Sequence, residues 1–188
     1  AGMYHSLAIT ADGDAWSWGL GGFGRLGHGD EQDQLLPKQV EFLAGQLVVA
    51  ASAGEQHSLA ITADGALWSW GSGGDGRLGH GEGEILLNTP TRIPATLGGE
   101  RAVSVSAGGL HSLALSADGS VWSWGDGGYG RLGHGDEQRQ WQPKKIEAFA
   151  DQRVAVVSAG SSHSLAITAD GAAFTWGKGE DGCLGHGE

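Results

Sequence analysis

The side chains that could do chemistry crowd into residues 57–81. His57, Ser58 and Asp64 are the residue types of nucleophilic hydrolysis. Gly71-x-Gly73-x-x-Gly76, directly after an apolar run, has the spacing of a dinucleotide-binding turn. Histidine is also a common metal ligand, and the chain has eight. All three readings meet the same obstacle, because the set occurs four times. His-Ser recurs at His5, His57, His111 and His163, separated by 52, 54 and 52 residues. Leu-Gly-His-Gly begins at Leu26, Leu78, Leu132 and Leu184 with the same separations.

A nucleotide turn needs a helix directly after it to aim backbone N–H groups at the pyrophosphate. Leu-Gly-His-Gly is too rich in glycine to supply one. A triad is a matter of geometry, and neighbours along a strand point to opposite faces. We therefore expect no catalytic residue, no cofactor and no metal. The histidine pairs His5/His28, His57/His80, His111/His134 and His163/His186 are expected to hold turns by hydrogen bonds. Asp30, Glu31 and Asp33 lack the glycine and spacing of a calcium loop and read as a solvated segment. Cys183 stands where other copies have Arg25, Arg77 and Arg131, and reads as a local substitution without a redox role.

The elements that position these residues are legible from the repeat. A period near 50 residues marks a repeat architecture, here with copies at 1–52, 53–106, 107–158 and an incomplete 159–188. In His57-Ser-Leu-Ala-Ile-Thr62 the apolar Leu59 and Ile61 alternate as in a strand. Asp64-Gly65 supplies a tight hairpin turn, and Ala66-Leu-Trp-Ser-Trp70 returns with Trp68 and Trp70 on one face. The glycine-rich stretch that follows reads as a tight corner. After an acidic connection comes a proline, Pro37, Pro90 or Pro143, opening an edge strand such as 37–42. The small apolar runs 47–53, 101–107 and 153–159 read as strands buried on both faces. Four short strands per repeat fit a β-propeller blade.

Composition narrows the function classes. The chain carries 22 acidic against 11 basic residues, a formal charge of −11, and this balance argues against direct nucleic-acid binding. No apolar run approaches the roughly 20 residues of a membrane-spanning helix. One cysteine cannot form an internal disulfide. An intracellular protein, cytoplasmic or nuclear, is the expectation.

The pattern Ala-Gly-x-x-His-Ser-Leu-Ala-x-x-x-Asp-Gly-x-x-x-x-Trp-Gly, then Gly-x-Leu-Gly-His-Gly and a spaced proline, resembles the regulator of chromosome condensation repeat across the whole chain. The resemblance implies a propeller, usually of seven blades, so that these repeats read as about three and a half to four blades of a larger ring. More of the same protein, or a neighbouring chain, is then expected against both ends. It also implies candidate functions: a non-catalytic scaffold for protein–protein interaction, part of a larger protein or assembly, or nucleotide exchange on a small GTPase with chromatin association. Ultraviolet-B sensing, as in a plant photoreceptor of this fold, uses Trp and Arg before the repeated His. Here those positions are Met3-Tyr4, Glu55-Gln56, Gly109-Leu110 and Ser161-Ser162.

The copies differ mainly at those pairs and just after Trp-Gly. The candidate partner-binding residues are therefore Tyr4, Phe23, Glu55, Gln56, Asp75, Tyr129, Trp141, Glu180 and Asp181. They are read as loop positions on a fixed scaffold, with aromatic types suited to interfaces.

Overall fold

The computed structural model describes residues 1–83, 85–94 and 97–187, with the backbone alone at Asp181. It is all-β, with four antiparallel sheets arranged as consecutive propeller blades. The first holds β1 (His5–Ile9), β2 (Ala15–Gly19) and β3 (Gln34–Gln39). The second runs β4 (Val48–Ala53), β5 (His57–Thr62), β6 (Leu67–Ser72) and β7 (Leu86–Arg92) in spatial order. The third repeats this with β8 (Ala102–Ala107), β9 (His111–Ser116), β10 (Val121–Gly125) and β11 (Gln140–Lys145). The fourth comprises β12 (Val154–Ala159), β13 (His163–Thr168) and β14 (Ala173–Gly177). The sheets are offset from the sequence repeats, because the last strand before each Ala-Gly is the innermost strand of the next His-Ser blade.

The hairpins form as their sequences demand. Gly65, Gly119 and Gly171 all have positive φ in the Asp-Gly turns, which costs glycine little. In two of these turns a hydroxyl and a backbone N–H hold the aspartate: Thr62 and Ala66 at Asp64, Ser116 and Ser120 at Asp118. These donors, the Ser116 hydroxyl first, hold the Asp118 carboxyl down at about 2.

The core lies between blades. The Leu59, Ile61 and Leu67 face of the second blade packs against Ala102, Ala114 and Trp124 of the third. The third repeats this against the fourth, with Leu113, Leu115 and Val121 meeting Val157, Ala166 and Trp176. Trp70 closes the first seam against Ala15, Val40 and Leu43. Trp70 and Trp124 are completely buried. At roughly 150–250 Å² per ring, each contributes about 4–6 kcal/mol of transfer free energy, an upper bound.

Two strand expectations need correction. The edge strand of the first blade spans Gln34–Gln39, not 37–42, and Glu41–Leu43 forms a 3-10 turn. The pairing jumps from Gly19↔Gln34 to Ser17↔Lys38, so Pro37 sits within a bulge where its missing N–H costs no ladder bond. The innermost strands are also not buried on both faces. Each carries a bulge, between Val48 and Ala50 and between Ala102 and Ser104, which turns Val49 and Val103 out to solvent.

Candidate functional site

His57 Nε2 lies 2.9 Å from Ser112 Oγ on the next blade. The same bond joins His5 to Ser58 at 2.7 Å and His111 to Ser164 at 2.8 Å. Each serine hydroxyl donates to an arginine carbonyl on the earlier blade: Ser58 to Arg25, Ser112 to Arg77 and Ser164 to Arg131. With the hydroxyl hydrogen so engaged, the histidine must donate from Nε2–H. This assigns the tautomer from the network. The indole N–H groups of Trp70, Trp124 and Trp176 donate to the same three carbonyls at 2.9 Å. Every seam among the described residues is thus a four-part latch of His, Ser, Trp and an arginine carbonyl.

The latch explains the glycine of Ala-Gly-x-x-His. A Cβ on Gly54 would come within 2.8 Å of His57 Cε1 and 2.5 Å of the Gly108 carbonyl oxygen. The imidazole is therefore sealed by backbone, and Nδ1 of His5, His57 and His111 is buried without a partner. Burial, reinforced by Arg77, pushes the His57 imidazole well below its ordinary range. Burial likewise lowers His111 to about 3 and His5 to about 4. These histidines are neutral buried donors, and their serines are spent on carbonyls. The second histidine of each copy holds the corner: His28, His80 and His134 bond Ser17, Ser69 and Ser123, whose hydroxyls donate to Leu26, Leu78 and Leu132 carbonyls. In the fourth copy Thr175 keeps the hydroxyl beside His186.

Sequence reasoning missed the arginines. Arg25, Arg77 and Arg131 are 2%, 4% and 3% exposed, and Arg77 and Arg131 pair with Asp75 and Asp126. Nε of each donates to the carbonyl of Gly22, Gly74 or Gly128 in its own corner. Nη1 of Arg25 and Arg77 reaches across the seam to the Glu55 and Gly109 carbonyls. The available signal was their recurrence inside the Gly-Arg-Leu-Gly corner, where a solvated charge would have been free to vary.

The turns 54–56 and 108–110 and the corners after Trp-Gly sit at the same end of the sheets, since His111, Gly125 and Gln140 are paired neighbours. We call this the upper face. Phe23, Asp75 and Tyr129 occupy the same corner position, each left-handed with φ near 60°. Tyr4 and Phe23 enclose the Arg25 guanidinium, with ring centroids at 5.5 and 5.6 Å. Met3 and Leu20 are exposed beside them in the adjoining turns. In the next copy Gln56 and Asp75 contact Arg77, and Asp75 also pairs with Arg139 of the third blade. Tyr129 stacks with Arg131 and Lys178, and Lys178 pairs with Glu180. Eight of the nine candidates thus fall in upper-face turns and corners, although the Asp181 side chain lies outside the described residues. Trp141 differs: it is a half-buried residue of β11, and a Cβ on Gly76 would meet it at 3.0 Å. It lies at the outer part of a seam, beside the preceding corner and under the Arg139 guanidinium.

The fold agrees with comparisons to known proteins. A model of the RCC1-like domain matches residues 1–188. The human E3 ubiquitin-protein ligase HERC2 is 42% identical over 193 residues, covering 98% of this chain and 4% of that protein. The ultraviolet-B receptor UVR8 of Arabidopsis thaliana is 41% identical, covering 100% of this chain and 42% of the receptor. Among solved structures, human WBSCR16 superposes with a TM-score of 0.89 at 30% identity, covering all of this chain and 49% of that one. Prp20p of Saccharomyces cerevisiae gives 0.85 at 29% identity, covering all of this chain and 46% of that one. The chain therefore spans less than half the length of these relatives. With its family model matched from end to end and its blades joined by one repeated latch, the chain belongs to the RCC1-like domain family.

Proposed function

We propose that these blades are a non-catalytic scaffold that recognises protein partners through the upper face. The carrying observation is the division within each repeat. In the first three repeats the repeated histidines, serines and arginines are consumed in buried seams and corners, while the side chains that differ before the repeated His and after Trp-Gly gather at one end. Rigid elements that present variable turns are a common way to build recognition surfaces. The test is affinity capture from lysate of the source cells with wild-type protein, a Tyr4→Ala/Phe23→Ala variant and a lower-face Arg101→Ala control. Loss of a defined set of proteins from the upper-face variant alone is expected. An identical set from all three would sink the reading.

A second reading is nucleotide exchange on a small GTPase. It is favoured by the likeness to Prp20p, a protein described by its binding to Gsp1p and histones. Release of labelled nucleotide from a panel of small GTPases decides it, and release at the spontaneous rate removes it.

We also infer that the outer faces of the first and last blades are covered by further blades or a neighbouring chain. Leu35 and Leu36 are 94% and 76% exposed, yet their counterparts Asn88–Thr89 and Trp141–Gln142 receive the corners at Gly24–Gly29 and Gly76–Gly81. An isolated 188-residue chain should bind a hydrophobic dye and self-associate. A monomer that leaves the dye dark would contradict this.

A further inference from the structure

Tyr4 and Phe23 form the one upper-face position among the described residues where both variable sites carry aromatic rings. Exposed Met3 and Leu20 extend the apolar surface on either side. The other copies are polar or mixed there: Gln56 with Asp75, Leu110 with Tyr129, and Ser162. The acidic connection of the same blade folds back against this patch. Glu31 accepts the Phe23 N–H at 3.1 Å, and Asp33 accepts the Gly21 N–H at 2.8 Å. Glu55 adjoins from the next blade, its carbonyl bonded to Arg25. The segment expected to be merely solvated thus sets carboxylates around an aromatic pair.

Around the patch Glu31 and Asp33 are exposed and Glu55 is half-buried, while the one cation within it, Arg25, is sealed under the two rings and hydrogen-bonded to carbonyls. Exposed bases lie elsewhere: Lys38, Arg92, Arg101, Lys144 and Arg153 occupy outer strands and lower loops. The two upper-face bases, Arg139 and Lys178, already pair with Asp75 and Glu180. An apolar surface rimmed by one sign of charge selects a partner carrying the other sign around an apolar anchor.

We propose that the Tyr4–Phe23 patch docks a protein segment in which Lys or Arg residues flank a bulky apolar side chain. The anchor lies on the two rings and the cations meet Glu31, Asp33 and Glu55. This rests on the upper face being the recognition surface and specifies the chemistry of what it recognises.

The test is selection from a displayed library of random short peptides on the folded protein, followed by fluorescence anisotropy with the enriched peptides. Enriched sequences should combine Lys or Arg with Leu, Phe or Trp. Their affinity should fall about tenfold or more in Tyr4→Ala/Phe23→Ala. It should fall severalfold in Glu31→Gln/Glu55→Gln, and decline with added salt. Unchanged melting of each variant, followed by circular dichroism, separates lost contact from lost fold. Enrichment of acidic or neutral peptides, no enrichment, or binding indifferent to both variants would overturn the proposal. If lysate capture still depends on Tyr4 and Phe23 while the peptides fail in any of these ways, the recognition face stands and the basic-partner chemistry falls.

Discussion

His57 and Ser112 sit on different blades, and their 2.9 Å Nε2–Oγ bond can run in only one direction because Ser112 donates to the Arg77 carbonyl. The latch is therefore a chain of donors, imidazole to hydroxyl to carbonyl, completed by the Trp124 indole on the same oxygen.

Removing the middle of that chain strands both neighbours. Ser112→Ala leaves the buried Nε2–H of His57 without an acceptor and should cost about 1–3 kcal/mol. Trp124→Phe withdraws the indole donor and leaves a void at a completely buried site, and should cost at least as much. Because both act on the Arg77 carbonyl, the double variant should depart from additivity. Urea unfolding of the three variants measures this, and additive losses would contradict a shared latch.

The close packing of glycine on imidazole makes a second test. Gly54→Ala and Gly108→Ala insert a methyl within 3 Å of the following histidine and of a carbonyl from the next blade. Overpacking of this kind costs about 1–3 kcal/mol. Gly99→Ala, with nothing within 4 Å but a positive φ of 91°, separates backbone strain from collision. Thermal unfolding should place both seam variants below wild type, and unchanged midpoints would show that the imidazoles can move aside.

The buried neutral histidines predict acid lability with a defined window. Their folded-state values, about 4 for His5, about 3 for His111 and well below the ordinary range for His57, lie beneath the unfolded value of about 6.5. The unfolded chain therefore takes up protons first as pH falls. Stability is fully present above about pH 6.5 and declines toward pH 4, by up to tenfold in the unfolding equilibrium per histidine per pH unit. His28, His80 and His134 are lowered by burial too and add in the same direction. Asp64, Asp118 and Asp170 of the hairpin turns, lowered first by their hydroxyl partners, weaken the fold only in more acid solution. Unfolding midpoints between pH 7 and 4.5 check this. A His111→Gln variant should start lower and show a shallower slope, and a flat wild-type profile would contradict the assignment.

How far the sequence reached is clear from particular residues. Asp64-Gly65, the Trp68/Trp70 alternation and the spacing of the histidines were enough to place hairpins, blades and the propeller, because each is a local rule applied four times. The direction of the latch was not legible, since His57 and Ser112 are separated by 55 positions and meet only after the blades stack. For the same reason the burial of Arg77 was not legible, and Trp141 read as a loop aromatic although it lies in β11 beside the Gly76 corner. The exposure of Val49 escaped notice because a bulge breaks the alternation that a small apolar run suggests.

The left-handed corner gives a prediction in the opposite sense from the seams. Phe23 has φ 61° in a region where a side chain costs about 1–2 kcal/mol and glycine does not. Phe23→Gly relieves that cost while losing one ring from Arg25, worth about 0.5–1 kcal/mol. Its unfolding midpoint should equal or exceed that of wild type, and a drop as large as that of Ser112→Ala would place Phe23 in the framework.

The repeats combine buried latches with a variable upper face. The most direct test measures thermal unfolding and partner capture together on Tyr4→Ala/Phe23→Gly. Unfolding within about 1 kcal/mol of wild type, with the captured proteins lost, is the predicted result. A destabilised variant, or a stable one that retains every partner, would contradict it.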